Sequence, residues 1–229
     1  MTRYQVVTVR REIGAAELLD AEEFRQRMTS HGTLVANILS SPGSGKTSLL
    51  SATADRLSPE FRCGVLVGDI ATDRDAQRLA DHAPAVQLTT GGACHLEFSL
   101  IERGRQALGD RELDFLFIEN IGNLVCPASH DLGEHLRVLL LSTTEGDDKP
   151  AKYPKAFRTS HALVISKCDL LPYLPFEVDR AVADARSIRS DLAVFPTSSR
   201  PAQGLEAWCD YLIDQRRRLL GGHPCRPNR

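Results

Sequence analysis

The run Ser40-Ser41-Pro42-Gly43-Ser44-Gly45-Lys46-Thr47-Ser48 directly follows the apolar stretch 34–39 and sets a lysine and a hydroxyl behind two glycines. Strand, small-residue loop and helix in that order form a phosphate-binding loop. Successive backbone N–H groups converge on phosphate oxygens, the lysine reaches the β and γ phosphates, and the threonine hydroxyl ligates Mg²⁺. Gly43, Ser44, Gly45, Lys46, Thr47 and Ser48 are therefore the expected phosphate contacts. Ser40 is a departure, standing where the usual pattern carries glycine. The loop commits the chain to a nucleotide without separating ATP from GTP.

Guanine is indicated further along. Ser166-Lys167-Cys168-Asp169 follows the apolar stretch 162–165 and resembles the base-selecting pattern Asn-Lys-x-Asp. A carboxylate at Asp169 accepts from N1–H and the exocyclic amine of guanine together, a donor pair that adenine lacks, while the Lys167 stem covers the ring. Ser166 stands in place of asparagine, so the amide that braces the phosphate loop is expected to be missing. Ser198, after the last expected strand, falls where a short loop touches the base through backbone N–H groups.

Two carboxylates are expected around the Mg²⁺. Glu119-Asn120-Ile121-Gly122, at the end of the apolar stretch 115–118, resembles a Glu-x-x-Gly switch: Glu119 holds the ion through water and Gly122 offers its N–H to the γ phosphate. Asp69, ending another apolar stretch, is the second hard-oxygen candidate. Lys46, Asp69 and Glu119 are then the groups that act on the phosphoryl group. No residue is identifiable as orienting the attacking water and no arginine is placed as a finger, so slow intrinsic turnover is expected.

Beside these hard ligands stand Gly91-Gly92-Ala93-Cys94-His95 and, four residues past the switch glycine, Cys126. Thiolates and imidazole suit Ni²⁺ or Zn²⁺ rather than Mg²⁺. Adjacent side chains diverge on a regular strand, so Cys94 and His95 need the freedom of Gly91-Gly92 to approach one metal or one metal pair. Three ligands leave a shell for water or a second subunit to complete. Cys63, Cys168 and Cys209 are expected to be small core residues, and His31, His82, His130, His135 and His161 surface or helix histidines.

These groups need a scaffold that brings strand ends together. Apolar strands are expected at 34–39, 63–67, 85–88, 115–118, 136–141, 162–165 and 192–195, with helical patterns between most of them. The pattern predicts an α/β fold: one P-loop NTPase domain over residues 1–229, with a mainly parallel sheet and helices on both faces. A helix over about 15–30 is expected to pack on a sheet edge, and 221–229 to form a loose tail, with no metal site assigned to His223 and Cys225. With 229 residues, 42% hydrophobic content and a formal net charge of -2, nucleic acid is not an expected partner. No apolar run approaches the roughly 20 residues of a membrane helix, and the amino terminus has no signal-peptide core; a cytoplasmic protein is expected.

Taken together, segments 40–47, 68–72, 90–96, 119–127 and 144–150 resemble the HypB family of nickel-delivery GTPases of hydrogenase maturation, in the class that includes UreG. The resemblance spans about 31–208. It implies a GTP/GDP-linked homodimer carrying nickel or zinc on Cys94, His95 and Cys126, with Lys152 reaching the guanine base of the partner subunit. It further implies a HypA-like accessory protein and a hydrogenase large subunit as partners. The Cys-Pro-His unit of UreG-like proteins is missing, and the first 30 residues hold neither Cys nor His for nickel storage. Urease as client, or a metal-carrying scaffold with GTP as structural ligand, are the alternative readings.

Overall fold

The computed structural model describes residues 4–8, 17–70, 72–109, 111–199 and 202–221. In chain order the main elements are β1 (Tyr4–Thr8), α1 (Glu17–Ser30), β2 (Leu34–Ser40), α2 (Lys46–Leu57), β3 (Cys63–Asp69), α3 (Arg74–Leu79), β4 (Ala85–Thr89), α4 (Phe98–Ala107) and β5 (Phe115–Gly122). They continue with β6 (Leu136–Ser142), α5 (Lys149–Lys152), α6 (Pro154–Thr159), β7 (Ala162–Ser166), α7 (Val178–Ile188), β8 (Ala193–Pro196) and α8 (Leu205–Leu219). Eight strands form one parallel sheet in the order β1-β4-β3-β5-β2-β6-β7-β8. A short antiparallel ribbon, β9 (Ser198–Ser199) with β10 (Ala202–Gln203), precedes α8.

Alternation along the strands sorts side chains to two faces. Leu34, Ala36, Ile38, Val65, Val67, Phe115, Phe117, Val138 and Leu140 pack beneath α2, α3 and α8, where the indole of Trp208 donates to Thr53 Oγ1 at 3.0 Å. Val35, Leu66, Leu116 and Ile118 meet α1 and α4 on the other face. Leu139, Leu141, Leu163 and Ile165 meet α6 and α7 there. The P-loop NTPase architecture expected from the alternating pattern is therefore present.

Three expectations change. Helix α1 lies on a face rather than an edge, because Ala21, Phe24 and Met28 reach Val35 and Leu66. Strand β1 was not expected and adds beside β4. Most consequential, β5 does not end at Ile118 but runs on through Glu119 to Gly122, pairing Gly122 with Ser40 across an irregularity after Ile38. The switch residues are thus held by sheet hydrogen bonds. Residues 15–16 and 222–229, with His223 and Cys225, lie outside the described residues.

Below the sheet, Arg216 of α8 donates to Asp114 Oδ1 at 2.6 Å and to the Gly32 carbonyl at 2.9 Å, tying the last helix to the starts of β2 and β5. Both side chains are nearly enclosed, so removing Arg216 leaves a buried carboxylate with Arg62 as its remaining cationic partner. Arg216→Ala should lower the unfolding free energy by about 3 kcal/mol, read from the midpoint of urea denaturation at unchanged slope.

Candidate nucleotide and metal site

Ser40, Asp69, Gly122, Ser142 and Ser166 are all carboxyl-terminal strand ends, so the expected site residues gather along one rim of the sheet. Helix α2 begins at Lys46, its first turn facing that rim. Lys46 is buried and its ammonium donates to Ser40 Oγ at 2.9 Å. The Ser40 departure therefore supplies an acceptor for the Lys46 ammonium. Burial lowers the Lys46 pKa, opposed by Glu119 and more weakly by Asp75, Glu145 and Asp69.

Glu119 continues the alternation of Phe115 and Phe117 and so points under α2, where Thr47 Oγ1 donates to its Oε1 at 2.8 Å. Its other oxygen, Oε2, is enclosed with no hydrogen-bond partner among the described residues. Burial pushes the Glu119 pKa up to about 7, against the pull of Lys46 and the Thr47 hydrogen bond. An enclosed, orphaned carboxylate oxygen beside a threonine hydroxyl fits a hard divalent cation such as Mg²⁺. Gly122 presses on the phosphate loop: a Cβ there would lie 2.9 Å from the Pro42 Cα, so only glycine permits the approach. Asp69 is half-exposed at the tip of β3 and accepts from the Thr72 N–H at 3.1 Å and the Thr72 hydroxyl at 3.3 Å. Arg78, which sequence reasoning passed over, brings Nη2 to 3.5 Å from Ser48 Oγ.

At the base-selecting end, the expected loss of the brace is not found. Ser166 Oγ donates to the Ser44 carbonyl at 2.7 Å, so a hydroxyl does from the strand tip what the longer amide was expected to do. Lys167, at φ 59, lays its chain over the loop and donates from Nζ to the Gly43 carbonyl at 2.8 Å. Asp169 accepts from the hydroxyl of Ser198, which is buried. Lys152 stands apart from these groups, mostly exposed and paired with Asp148 at 2.5 Å.

The expected soft ligands, Cys94, His95 and Cys126, come together on the same rim. Gly91 (φ 64) and Gly92 (φ 109) adopt the left-handed turn that brings Cys94 round to Cys126, with their sulfurs 2.8 Å apart. That hydrogen bond is the main cause of a raised Cys94 pKa. His95 Nδ1 lies 3.8 Å from Cys94 Sγ. Tetrahedral bonding at the usual zinc–sulfur length needs sulfurs about 3.8 Å apart. The thiols must therefore part to admit an ion, and among the described residues no three His, Cys, Asp or Glu groups form a ready metal shell. His130, expected as an ordinary surface or helix histidine, instead stacks on His95 with ring centroids 3.9 Å apart. Its spacing of four from Cys126 was the available signal. Cys63 and Cys209 are buried, with pKa values pushed up by burial to about 12 and about 11, as suits inert core thiols. Cys168 is half-buried against the core.

Asn120, on the opposite side of β5 from Glu119, donates to Asn37 Oδ1 at 3.1 Å. Asn37 donates to Glu134 Oε1 at 3.3 Å, and Arg137 joins Glu134 Oε1 at 2.7 Å to the His130 carbonyl at 2.7 Å. A buried polar chain thus links the switch strand to the segment that carries the soft ligands.

Residues 34–196 match the CobW/HypB/UreG nucleotide-binding domain model. A hydrogenase maturation factor HypB of Escherichia coli (strain K12) is 44% identical over 197 residues, covering 86% of this chain and 68% of that protein. A hydrogenase/urease maturation factor HypB of Helicobacter hepaticus is 41% identical over 210 residues, covering 90% of this chain and 86% of that protein. The crystal structure of HypB from Helicobacter pylori in complex with nickel superposes with a TM-score of 0.82 at 40% identity, covering 89% of this chain and 96% of that one.

The raised Glu119 pKa makes a signed prediction. In the metal-free folded chain this carboxyl holds its proton to about pH 7. Unfolded, it releases that proton near its ordinary value, about 4.3, so its contribution to stability falls as pH rises between the two. Wild type should lose on the order of 1–3 kcal/mol relative to Glu119→Gln between pH 5 and pH 8. Paired urea melts without divalent cations measure this; parallel pH profiles would contradict it.

Proposed function

The chain belongs to the CobW/HypB/UreG nucleotide-binding family, and we propose that it is a GTP-hydrolysing metallochaperone that delivers nickel during hydrogenase maturation. Membership places it among P-loop GTPases. The observation that carries the delivery reading is the shared rim: the Thr47–Glu119 contact and the Cys94–Cys126 pair both depend on one short segment, with Cys126 four residues past Gly122.

In this reading Gly43, Ser44, Gly45, Lys46, Thr47 and Ser48 cradle the phosphates, while Lys167, Asp169 and Ser198 surround guanine. Thr47 and Glu119, with Asp69 at the neighbouring strand tip, would hold Mg²⁺, which supplies charge neutralisation at the β and γ phosphates. Hydrolysis adds water oxygen to the γ phosphorus and breaks its bond to the β–γ bridging oxygen, giving GDP and phosphate. Lys46 positions the phosphoryl oxygens and withdraws charge from them. Gly122, held against Pro42, is the part of β5 nearest the phosphate loop, so loss of the γ phosphate acts on the strand at that point.

Cys94, His95 and Cys126 would carry the nickel as cargo, with zinc as a competitor for the same donors. Exposed Cys94, with the 60%-exposed Val125 beside Cys126, supports a homodimer whose assembly follows nucleotide and metal state. Lys152, mostly exposed, is available to a partner subunit's guanine. A HypA-like protein and the hydrogenase large subunit are the proposed donor and recipient. None of the described helices is long and apolar enough to cross a membrane, in keeping with a proposed cytoplasmic site of action. The proposal treats residues 1–229 as one G domain.

Two measurements test this. Lys46→Ala should lower GTP turnover at least about 100-fold, and Asp169→Ala should abolish preference for GTP over ATP in competition binding; unchanged values would remove the GTPase assignment. Nickel affinity should differ by about tenfold or more between the GDP-loaded protein and one loaded with a non-hydrolysable GTP analogue, a coupling of about 1.4 kcal/mol. Equal affinities would leave Cys94, His95 and Cys126 as structural groups.

A further inference from the structure

We propose that Cys94 and Cys126 form a redox modification site, at which a peroxide joins the two sulfurs as a disulfide. The inference goes beyond nickel delivery, and only its consequence for metal uptake rests on that reading.

The two thiols are free and their sulfurs lie 2.8 Å apart. A disulfide holds its sulfurs about 2.05 Å apart, so closure needs less than about 1 Å of further approach. Sharing a tetrahedral zinc would require them to part to about 3.8 Å instead. Without metal the pair therefore stands nearer to a covalent bond than to a shared ion. Asn123 sets this approach: its Nδ2 donates to the Cys94 carbonyl at 3.4 Å and its Oδ1 accepts from the Val125 N–H at 2.8 Å. One amide thus ties the loop of the first thiol to the residue before the second. On the Cys94 side, no atom lies within 4 Å of where a Cβ would stand on Gly91 or Gly92, so the turn has open space in which to adjust.

Cys94 is exposed and Cys126 half-buried, so aqueous peroxide reaches the pair. Cys63 and Cys209 are buried in the core, and Cys168 is half-buried with its Sγ 3.3 Å from the Ile165 carbonyl. The hydrogen bond between the paired thiols raises the Cys94 pKa, so the site is set apart by proximity and not by an acidic thiol. In the first step one sulfur, as thiolate, attacks a peroxide oxygen: an S–O bond forms, the O–O bond breaks, and the departing hydroxide takes up the thiol proton and leaves as water. The other sulfur then attacks the sulfenic sulfur, forming S–S and breaking S–O, and its proton leaves with the hydroxide as a second water. Two thiols are oxidised by two electrons, and one peroxide is reduced to two waters. A disulfide offers no thiolate, so oxidation removes two of the three expected soft donors together, and a reducing dithiol restores them by exchange. Under the proposed function, the oxidised protein takes up no nickel.

The test exposes the reduced, metal-free and nucleotide-free full chain to hydrogen peroxide, alkylates the remaining thiols at intervals under denaturing conditions and maps the peptides by mass spectrometry. Cys94→Ser and Cys126→Ser are treated alongside, with folding checked by thermal melting. Wild type should lose two thiols together, run as a single chain on a non-reducing gel and yield one linked peptide pair, Cys94 with Cys126, that dithiothreitol reopens. Each serine variant should form no such link, its remaining thiol passing to the sulfenic or sulfinic state. Separate oxidation of Cys94 and Cys126 to sulfinic acid in wild type, links to other cysteines or between chains, or thiols that survive a dose sufficient to oxidise free cysteine would each overturn the proposal. Nickel titration keeps the two readings apart. Thiolate-to-nickel absorption in reduced but not in oxidised wild type supports both. A mapped Cys94–Cys126 disulfide in a protein whose reduced form shows no such absorption upholds the redox site and removes the delivery reading. Absorption in the reduced form with no disulfide under peroxide does the reverse.

Discussion

Thr47 satisfies one oxygen of Glu119 and leaves the other enclosed and unpartnered, at the junction of β5 with the first turn of α2. A buried acceptor left in that state costs about 1–3 kcal/mol, more when it is charged. The fold relieves that cost by raising the pKa to about 7, so that a proton can stand in for a cation. Much of the rim is arranged around this point. Lys46 is held close enough to oppose the shift, and Gly122 keeps the end of the same strand against Pro42. A site poised between a proton and a divalent cation responds to ligand, whereas a fully paired carboxylate would not.

The sequence made the phosphate loop readable because its chemistry is local: small residues, a lysine and a hydroxyl in consecutive positions suffice. The parallel sheet was equally accessible, since strands buried on both faces read as unbroken apolar runs. What stayed hidden depended on tertiary partners. Hydropathy stops at Ile118, so Glu119 and Asn120 look like loop residues, yet β5 continues because Ser40 and Gly122 pair across the irregularity in β2. Ser166 looked like a lost brace because sequence gives no distance, and a strand tip lying close to Ser44 lets a short hydroxyl reach. His130 was passed over for the same reason: its four-residue spacing from Cys126 gains meaning only when the 91–92 turn delivers His95 against it.

Strand β5 connects the Glu119 end of the rim to the Cys126 segment, and period-two geometry explains how. Glu119 faces α2 and Thr47, while Asn120, one residue later, faces Asn37 on the opposite side. Any shift of this strand end must move both side chains. On the Asn120 side the hydrogen bonds pass through buried Asn37 and Glu134 to Arg137, which holds the turn before His130. Each link broken in such a chain leaves a desolvated polar group, so the chain resists stretching. In the proposed function, nucleotide state would bias the position of Cys126 through this chain. Under the proposed function, linkage requires that nickel held beside Cys126 bias nucleotide affinity by the same factor as nucleotide biases nickel affinity. In that reading, reciprocity would give metal loading a direct influence on the GTP cycle, with one strand end serving both the γ phosphate and the cargo.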